Sequence, residues 1–197
     1  MKNTDQNYEL VIIFSPSTSV EESQLLVEKK LSSIKTLSTE IVREGLKTLA
    51  YPIKKNTSGV YYKINLVVAL ENVRDINQAV QKFNVETSVL RYLIVNQNEY
   101  LKLKSQEKSN QELEFSSHRD LNKGKQKVKK CFTKYSGLKT YNYSDVEEIS
   151  QFVSPYSKIF GEARTGSSSK YQRKISKAVK QARHLAYMAF TDKYINS

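Results

Sequence analysis

From Leu101 to Gly124 the apolar periodicity of the chain stops: only Leu101, Leu103, Leu113, Phe115 and Leu121 of these 24 residues are apolar, set among Lys, Ser, Gln, Glu and Asn. No buried helix or strand face can be drawn through such a stretch. The 197-residue chain is therefore expected to fold on either side of it, as domains over 1–100 and 125–197 joined by a polar linker over 101–124. As a flexible coil that linker spans roughly 25 to 30 Å root-mean-square. Charge divides at the same place. Residues 1–100 carry 12 Lys and Arg against 11 Asp and Glu, and residues 101–197 carry 20 against 9, so the excess of +12 belongs almost wholly to the second half. With 39% hydrophobic and 10% aromatic residues the chain has enough apolar mass to pack cores. An acidic polymer or surface touching one half is implied. No apolar run approaches the roughly 18 residues that span a bilayer and no signal-peptide core is present, so nucleic acid is favoured over membrane.

The first half alternates strand and helix signals. "YELVIIF" over 8–14 reads as a strand and "SPSTS" as the turn after it. Ser19 with Glu22 forms a capping-box pattern at the head of a helix whose apolar side is Leu25, Leu26, Leu31 and Ile34. Residues 39–51 are again extended, Pro52 argues that the chain leaves the sheet there, and Gly59 marks a turn. "VYYKINLVVAL" over 60–70 has period two, placing Val60, Tyr62, Ile64, Leu66 and Val68 on a core face. Val73, Ile76, Ala79, Val80 and Phe83 fall at helical spacing behind Asn72, and "SVLRYLIVN" over 88–96 closes the half as a strand. The order βαββαβ predicts a ferredoxin-like sheet with both helices on one face and the other free to be open.

The second half predicts a small all-α basic domain behind a basic arm, so the fold class is α+β. Residues 123–139 hold seven Lys and no acid, Lys127, Lys129 and Lys130 among them. Ser144 with Glu147 repeats the capping-box pattern for a helix with Val146, Ile149, Phe152 and Val153 on its buried side, ended by Pro155. "GEARTGSSS" over 161–169 reads as a loop. The last helix puts Tyr171, Ile175, Ala178, Val179, Ala182, Leu185 and Ala186 on one side, and Lys170, Arg173, Lys174, Lys177, Lys180 and Arg183 on the other. Cations near a helix start oppose its macrodipole, and a bound anion reverses that penalty. Thr165, Gly166 and Ser167 supply N–H groups and hydroxyls where a phosphate would sit. A charge run alone is usually a solvated face; the absence of interleaved acids, repeated in the arm, favours phosphate contact.

Other chemistries find little support. "GEARTGSS" nearly spells a nucleotide-binding phosphate loop, but Ser167 stands where the essential lysine belongs and no strand precedes it. Cys131 is the only cysteine and His118 and His184 the only histidines, so neither a metal site nor a cysteine nucleophile is expected; His184, on a basic helix face, suits a surface or RNA contact. Glu21–Glu22 and Glu147–Glu148 sit in first helical turns, where the macrodipole accounts for them. The βαββαβ order is shared with RNA-recognition motifs, which stack bases on third-strand aromatics, and Tyr61 and Tyr62 occupy that strand. The near-neutral charge of this half makes core packing and partner contact the better use of both.

Two resemblances emerge from these residues. "YELVIIFSP" followed by "LKTLAYPIKKNTSGVYYKI" resembles bacterial small-subunit ribosomal protein six over roughly residues 6–100. "KKCF", "YNYSDVEEISQFVS", "SKIF", "RTGSSSKYQRKISKAVKQARHLAYMAF" and "TDKY", from about Lys129 to Tyr194, resemble small-subunit ribosomal protein eighteen. The resemblance implies a natural fusion of two proteins that otherwise pair as separate chains. Its implied function is that of a non-catalytic structural constituent of a bacterial-type, cytoplasmic ribosome. It would bind the central domain of small-subunit rRNA at the platform, beside neighbouring small-subunit proteins and with its own two domains paired. By similarity the rRNA contacts fall on Arg164, Lys170, Tyr171, Arg173, Lys174, Lys177, Lys180 and Arg183, helped by the lysine arm, with Tyr171 assigned to packing by its place on the apolar side. No cofactor, metal or membrane is implied. The alternative reading is a free RNA-binding regulator or assembly chaperone.

Overall fold

The computed structural model describes residues 5–32, 34–98 and 141–191; the linker, the lysine arm with Lys127, Lys129 and Lys130, His118 and Cys131 lie outside the described residues. The chain divides into two compact units. One comprises the described residues up to Asn98 together with Arg183–Ala189, and the other comprises the described residues from 141 to Ala182 with Phe190 and Thr191.

In the first unit β1 (Asp5–Phe14), α1 (Val20–Leu31), β2 (Ser38–Ile53), β3 (Asn56–Ala69), α2 (Val73–Gln81) and β4 (Val89–Asn96) follow one another. The strands form one antiparallel sheet in the order β2-β3-β1-β4, the ferredoxin-like arrangement that βαββαβ dictates. Alternation along β1 and β3 sends Leu10, Ile12, Phe14, Val60, Tyr62, Ile64, Leu66 and Val68 to the face shared with Val27 and Leu31 of α1 and Ile76, Ala79 and Val80 of α2. Fully burying each of the larger side chains contributes about 1.5–3 kcal/mol. Phe14 meets Tyr62 edge-on at 5.4 Å, and the Tyr62 hydroxyl shares a 2.8 Å hydrogen bond with Ser23 Oγ, which explains a buried serine in α1.

Several local expectations change. Ser19 caps α1 as expected, its Oγ accepting the Glu22 N–H at 3.2 Å. Leu25, however, is 66% exposed; the buried residues of α1 are Ser23, Val27 and Leu31. Pro52 does not take the chain out of the sheet. Pairing of β2 with β3 lapses after Thr48 and resumes at Ile53, so Pro52 sits inside the irregularity of an edge strand, where its missing N–H costs no ladder bond. The turn lies at Lys54 and Lys55, with φ of 48° and 69°, the pattern of a type I′ hairpin made without the usual Asn-Gly. Gly59 is therefore strand, paired with Lys47. A Cβ there would stand 2.7 Å from Ile13 Cγ2 and 3.2 Å from the Phe14 carbonyl oxygen, so the position requires glycine for close approach.

In the second unit α3 (Val146–Ser150), α4 (Glu162–Thr165) and α5 (Ser169–His184) surround Tyr143, Ile149, Phe152, Ile175, Ala178, Val179 and Ala182, all buried. The residue before α3 is Asp145 and no side chain caps it, so Ser144 does not act as expected. The helix stops at Ser150, well before Pro155. Residues beyond it turn back instead: Val153 pairs with Ile159, the Ser154 N–H donates to Lys158 O and the Phe160 N–H to Phe152 O, both at 2.8 Å. The loop expected over 161–169 contains α4, ended by Gly166 at φ 65°, whose N–H donates to Glu162 O at 2.7 Å.

Gly59→Ala should destabilise the first unit by about 1–3 kcal/mol through overpacking against Ile13 and the Phe14 carbonyl; a denaturant midpoint unchanged from that of the natural chain would contradict this.

Candidate nucleic-acid interface

The apolar positions of α5 from Ile175 to Ala182 are buried, and the helix has no acid in its first turn. Opposite them Lys170, Arg173, Lys177 and Lys180 are exposed and Lys174 half-buried, three or four residues apart and hence along one stripe. Arg164, on α4, is exposed and lies over the Phe160 ring, its guanidinium carbon 3.8 Å from the ring centroid. The Phe160 carbonyl in turn accepts from Gln172 Nε2 at 2.6 Å, tying the stacked pair to α5. This positioning by Phe160 and Gln172 escaped sequence reasoning, because no local pattern joins residues 160, 164 and 172.

Three expected site residues sit differently. Thr165 and Ser167 are buried: Thr165 Oγ1 donates to Gly161 O at 3.2 Å and accepts the Ser167 N–H at 3.3 Å, so these groups serve the α4 to α5 turn. Gly166 provides the left-handed residue of that turn. Arg183, assigned to the basic stripe by spacing, is 9% exposed, and burial lowers its pKa from the ordinary guanidinium value. Its place in the fold is with the sheet unit.

The reason is the end of α5. The helix stops at His184, two residues before the apolar pattern does, and Ala186 turns left-handed at φ 53°. A helix end leaves carbonyls without partners. Here Tyr51 Oη donates to Arg183 O at 2.8 Å, Arg91 Nη1 to His184 O at 3.0 Å and Tyr61 Oη to Leu185 O at 2.6 Å. The Ala50 N–H, from the irregular stretch of β2, donates to Ala186 O at 2.8 Å. Arg91 Nη1 also donates to Tyr51 Oη at 2.5 Å. Tyr187 stacks on Tyr61 with centroids 5.1 Å apart and donates to Glu44 at 3.3 Å, while Lys47 lies 5.6 Å from both rings. Tyr61 and Tyr62, the third-strand aromatics, are both fully buried and present no ring to a base. The sheet face bearing Tyr61, which the fold leaves free to be open, is covered at that residue, in keeping with packing as the use of both tyrosines.

Burial raises the pKa of the phenols of Tyr61 and Tyr187 above the ordinary value, Tyr51 and Glu44 adding to the effect on Tyr61 and Glu44 and Tyr61 to that on Tyr187. Burial also raises Tyr51, against the opposing pull of Arg91. Among the described residues no group of three or more His, Cys, Asp or Glu gathers to hold a metal, and no helix is long and apolar enough to cross a membrane.

A ferredoxin-like sheet unit and a basic helical unit in one chain define an α+β protein of two compact units. Residues 7–96 match the family of ribosomal protein S6 and residues 137–188 that of ribosomal protein S18. The second match is supported by small ribosomal subunit protein bS18 of Flavobacterium psychrophilum, 48% identical over 71 residues, 36% of this chain and 69% of that protein. The same protein from Listeria welshimeri is 39% identical over 67 residues, 34% of this chain and 85% of its own. The crystal structure of 30S ribosomal protein S6 from Thermotoga maritima aligns with 54% of this chain and 98% of its own, at 25% identity and a TM-score of 0.42. The chain belongs to the ribosomal protein S18 family and carries a ribosomal protein S6 domain ahead of it, an S6–S18 fusion.

Tyr61→Phe leaves the buried Leu185 carbonyl without its donor and should cost about 1–3 kcal/mol, read as a lower denaturant midpoint with the sheet otherwise intact. Because folding raises the phenol pKa of Tyr61 and Tyr187, their protonated forms are favoured in the native state. Stability from this source is complete below the free phenol pKa of about 10 and is lost as pH rises beyond it. Tyr187→Phe should flatten that alkaline decline in a melting-temperature series; a decline of unchanged steepness would count against it.

Proposed function

We propose that this chain is a structural constituent of the small ribosomal subunit. It binds the central domain of small-subunit rRNA at the platform, beside neighbouring small-subunit proteins, and works with the ribosome in the cytoplasm. The observation that carries the RNA-binding part is the stripe of Lys170, Arg173, Lys174, Lys177 and Lys180, which has no acid interleaved and lies opposite a buried apolar face. Burial fixes the helix, so the cations are held in a row at helical spacing instead of scattering on a flexible tail. Arg164, stacked on Phe160, extends the set. Gly166 sets the turn that starts α5, and Thr165 and Ser167 brace it from inside. Lys127, Lys129 and Lys130 of the arm are proposed as further phosphate contacts. Both families are structural and not enzymatic, and the chain is read as non-catalytic.

The S6 and S18 parts pair within the chain. Support comes from Arg183–Ala189, which begins within the S18 match yet folds as part of the sheet unit, held by Tyr51, Tyr61 and Arg91.

Each neutralised phosphate releases counterions, so affinity falls steeply with salt. The native protein should sediment with the small subunit in a sucrose gradient through a moderate salt wash. In binding to a central-domain transcript, Lys170→Gln, Arg173→Gln and Lys177→Gln together should reduce the log–log salt slope by about 2 to 3. A protein that stays at the top of the gradient even at low salt would overturn the ribosomal reading and favour a free RNA-binding regulator or assembly chaperone.

A further inference from the structure

The sheet unit has its own cationic cleft. It has a volume of about 460 Å³ and is lined by Lys54, Arg91 and His184 with Phe83, Val89 and Tyr92 among its walls. No acid lines it among the described residues. Its three basic side chains are each held by neutral atoms: Lys54 Nζ donates to Val89 O at 3.0 Å, Arg91 Nη1 to His184 O and Tyr51 Oη, and His184 Nε2 to Tyr92 O at 3.1 Å. Elsewhere in the unit Lys30, Lys47 and Lys63 are paired with Glu86, Glu44 and Glu9. A carbonyl fixes a cation in place without cancelling its charge. An ammonium has three donors and a guanidinium five, so each retains donors beyond the bonds that tether it. Lys54 is also the first left-handed residue of the β2–β3 turn, a conformation that costs a non-glycine residue energy and that aims its side chain at the start of β4.

We propose that Lys54 and Arg91, with the His184 ring on the cleft wall, form a second phosphate site, which takes a phosphate of the RNA backbone with its ribose. The proposal rests on the ribosomal reading above for the source of the phosphate. The cleft exceeds a bare anion in size, and Phe83 is wholly buried, so the walls offer room for a sugar but no exposed Phe83 ring on which to stack a base. The cations named reach phosphate, and phosphate contacts position a strand without reading its sequence. The cleft gives a near-neutral unit its own grip on RNA.

The test uses the full chain and a central-domain rRNA transcript across a salt series. Lys54→Asn removes the charge with a residue that tolerates the left-handed conformation, and His184→Gln keeps a donor for the Tyr92 carbonyl; melting temperatures check both folds. Each should weaken binding roughly threefold at moderate salt, and Lys54→Asn should lower the salt slope by about 1. Unchanged slopes in both variants, with the natural chain binding normally, overturn the site. If the natural chain itself fails to bind, the ribosomal reading is what falls. The cleft is then judged with inorganic phosphate, by the ring resonances of His184 assigned against His184→Gln. Shifts lost in Lys54→Asn would support an anion site that takes free phosphate, and absence of shifts would overturn it.

Discussion

The carbonyls at the end of a helix must find donors, and in this chain the donors for α5 come from another part of the sequence. Tyr51, Tyr61 and Arg91 supply them to Arg183, His184 and Leu185. Water could satisfy such groups at an exposed helix end. At Leu185 and Ala186, both buried, it cannot, and unmade bonds there would carry a desolvation penalty. The requirement runs back through the sheet. Tyr61 faces this segment because Tyr62 must face the core, and β2 can offer the Ala50 N–H because its pairing with β3 lapses between Thr48 and Ile53. An irregular edge strand, often only protection against unwanted pairing, here frees a backbone donor.

The same geometry decides where charge is compensated. Glu9, Glu44 and Glu86 each hold a lysine, and Glu9, itself buried, is held by both Lys63 and Gln97. These pairs set a carboxylate against an ammonium at three points of the sheet unit. Arg91 is committed to Tyr51 and to a carbonyl, neither of which carries a countercharge. Arg91 thus lies beside the end of α5, where a cation interacts favourably with the negative end of the helix macrodipole. Arg91 is there because the helix end needs a donor, and the cationic cleft follows from that placement.

Most of the sheet was legible in the sequence because its signals are local and repeated. Period two over 60–70 named the core face of β3, and Ser19 with Glu22 named the start of α1. Three features were misread for want of such repetition. Ser144 with Glu147 has the capping-box spelling, yet the helix it would start is only five residues long and carries no side-chain cap, and the chain folds back after it to pair Val153 with Ile159. Pro52 signals a break, which is real, but the sequence does not say that pairing resumes one residue later. Lys54 and Lys55 make a left-handed turn with no Gly or Asn at its centre, so turn chemistry pointed to Gly59, whose glycine answers to Ile13 across the sheet.

At the interface, spacing separated α5 into an apolar and a basic side correctly up to Ala182 and failed at Arg183. The periodicity argument treats a helix as if one environment ran along its whole length. Arg183 belongs to the sheet unit, whose neighbours are set by residues 50, 51, 61 and 91. Burying a guanidinium is costly and lowers its pKa. The position is nonetheless fixed by its backbone, since the Arg183 carbonyl is what Tyr51 holds. Where a main-chain group is the element under constraint, the side chain goes where the carbonyl takes it, and no pattern of residue types records that.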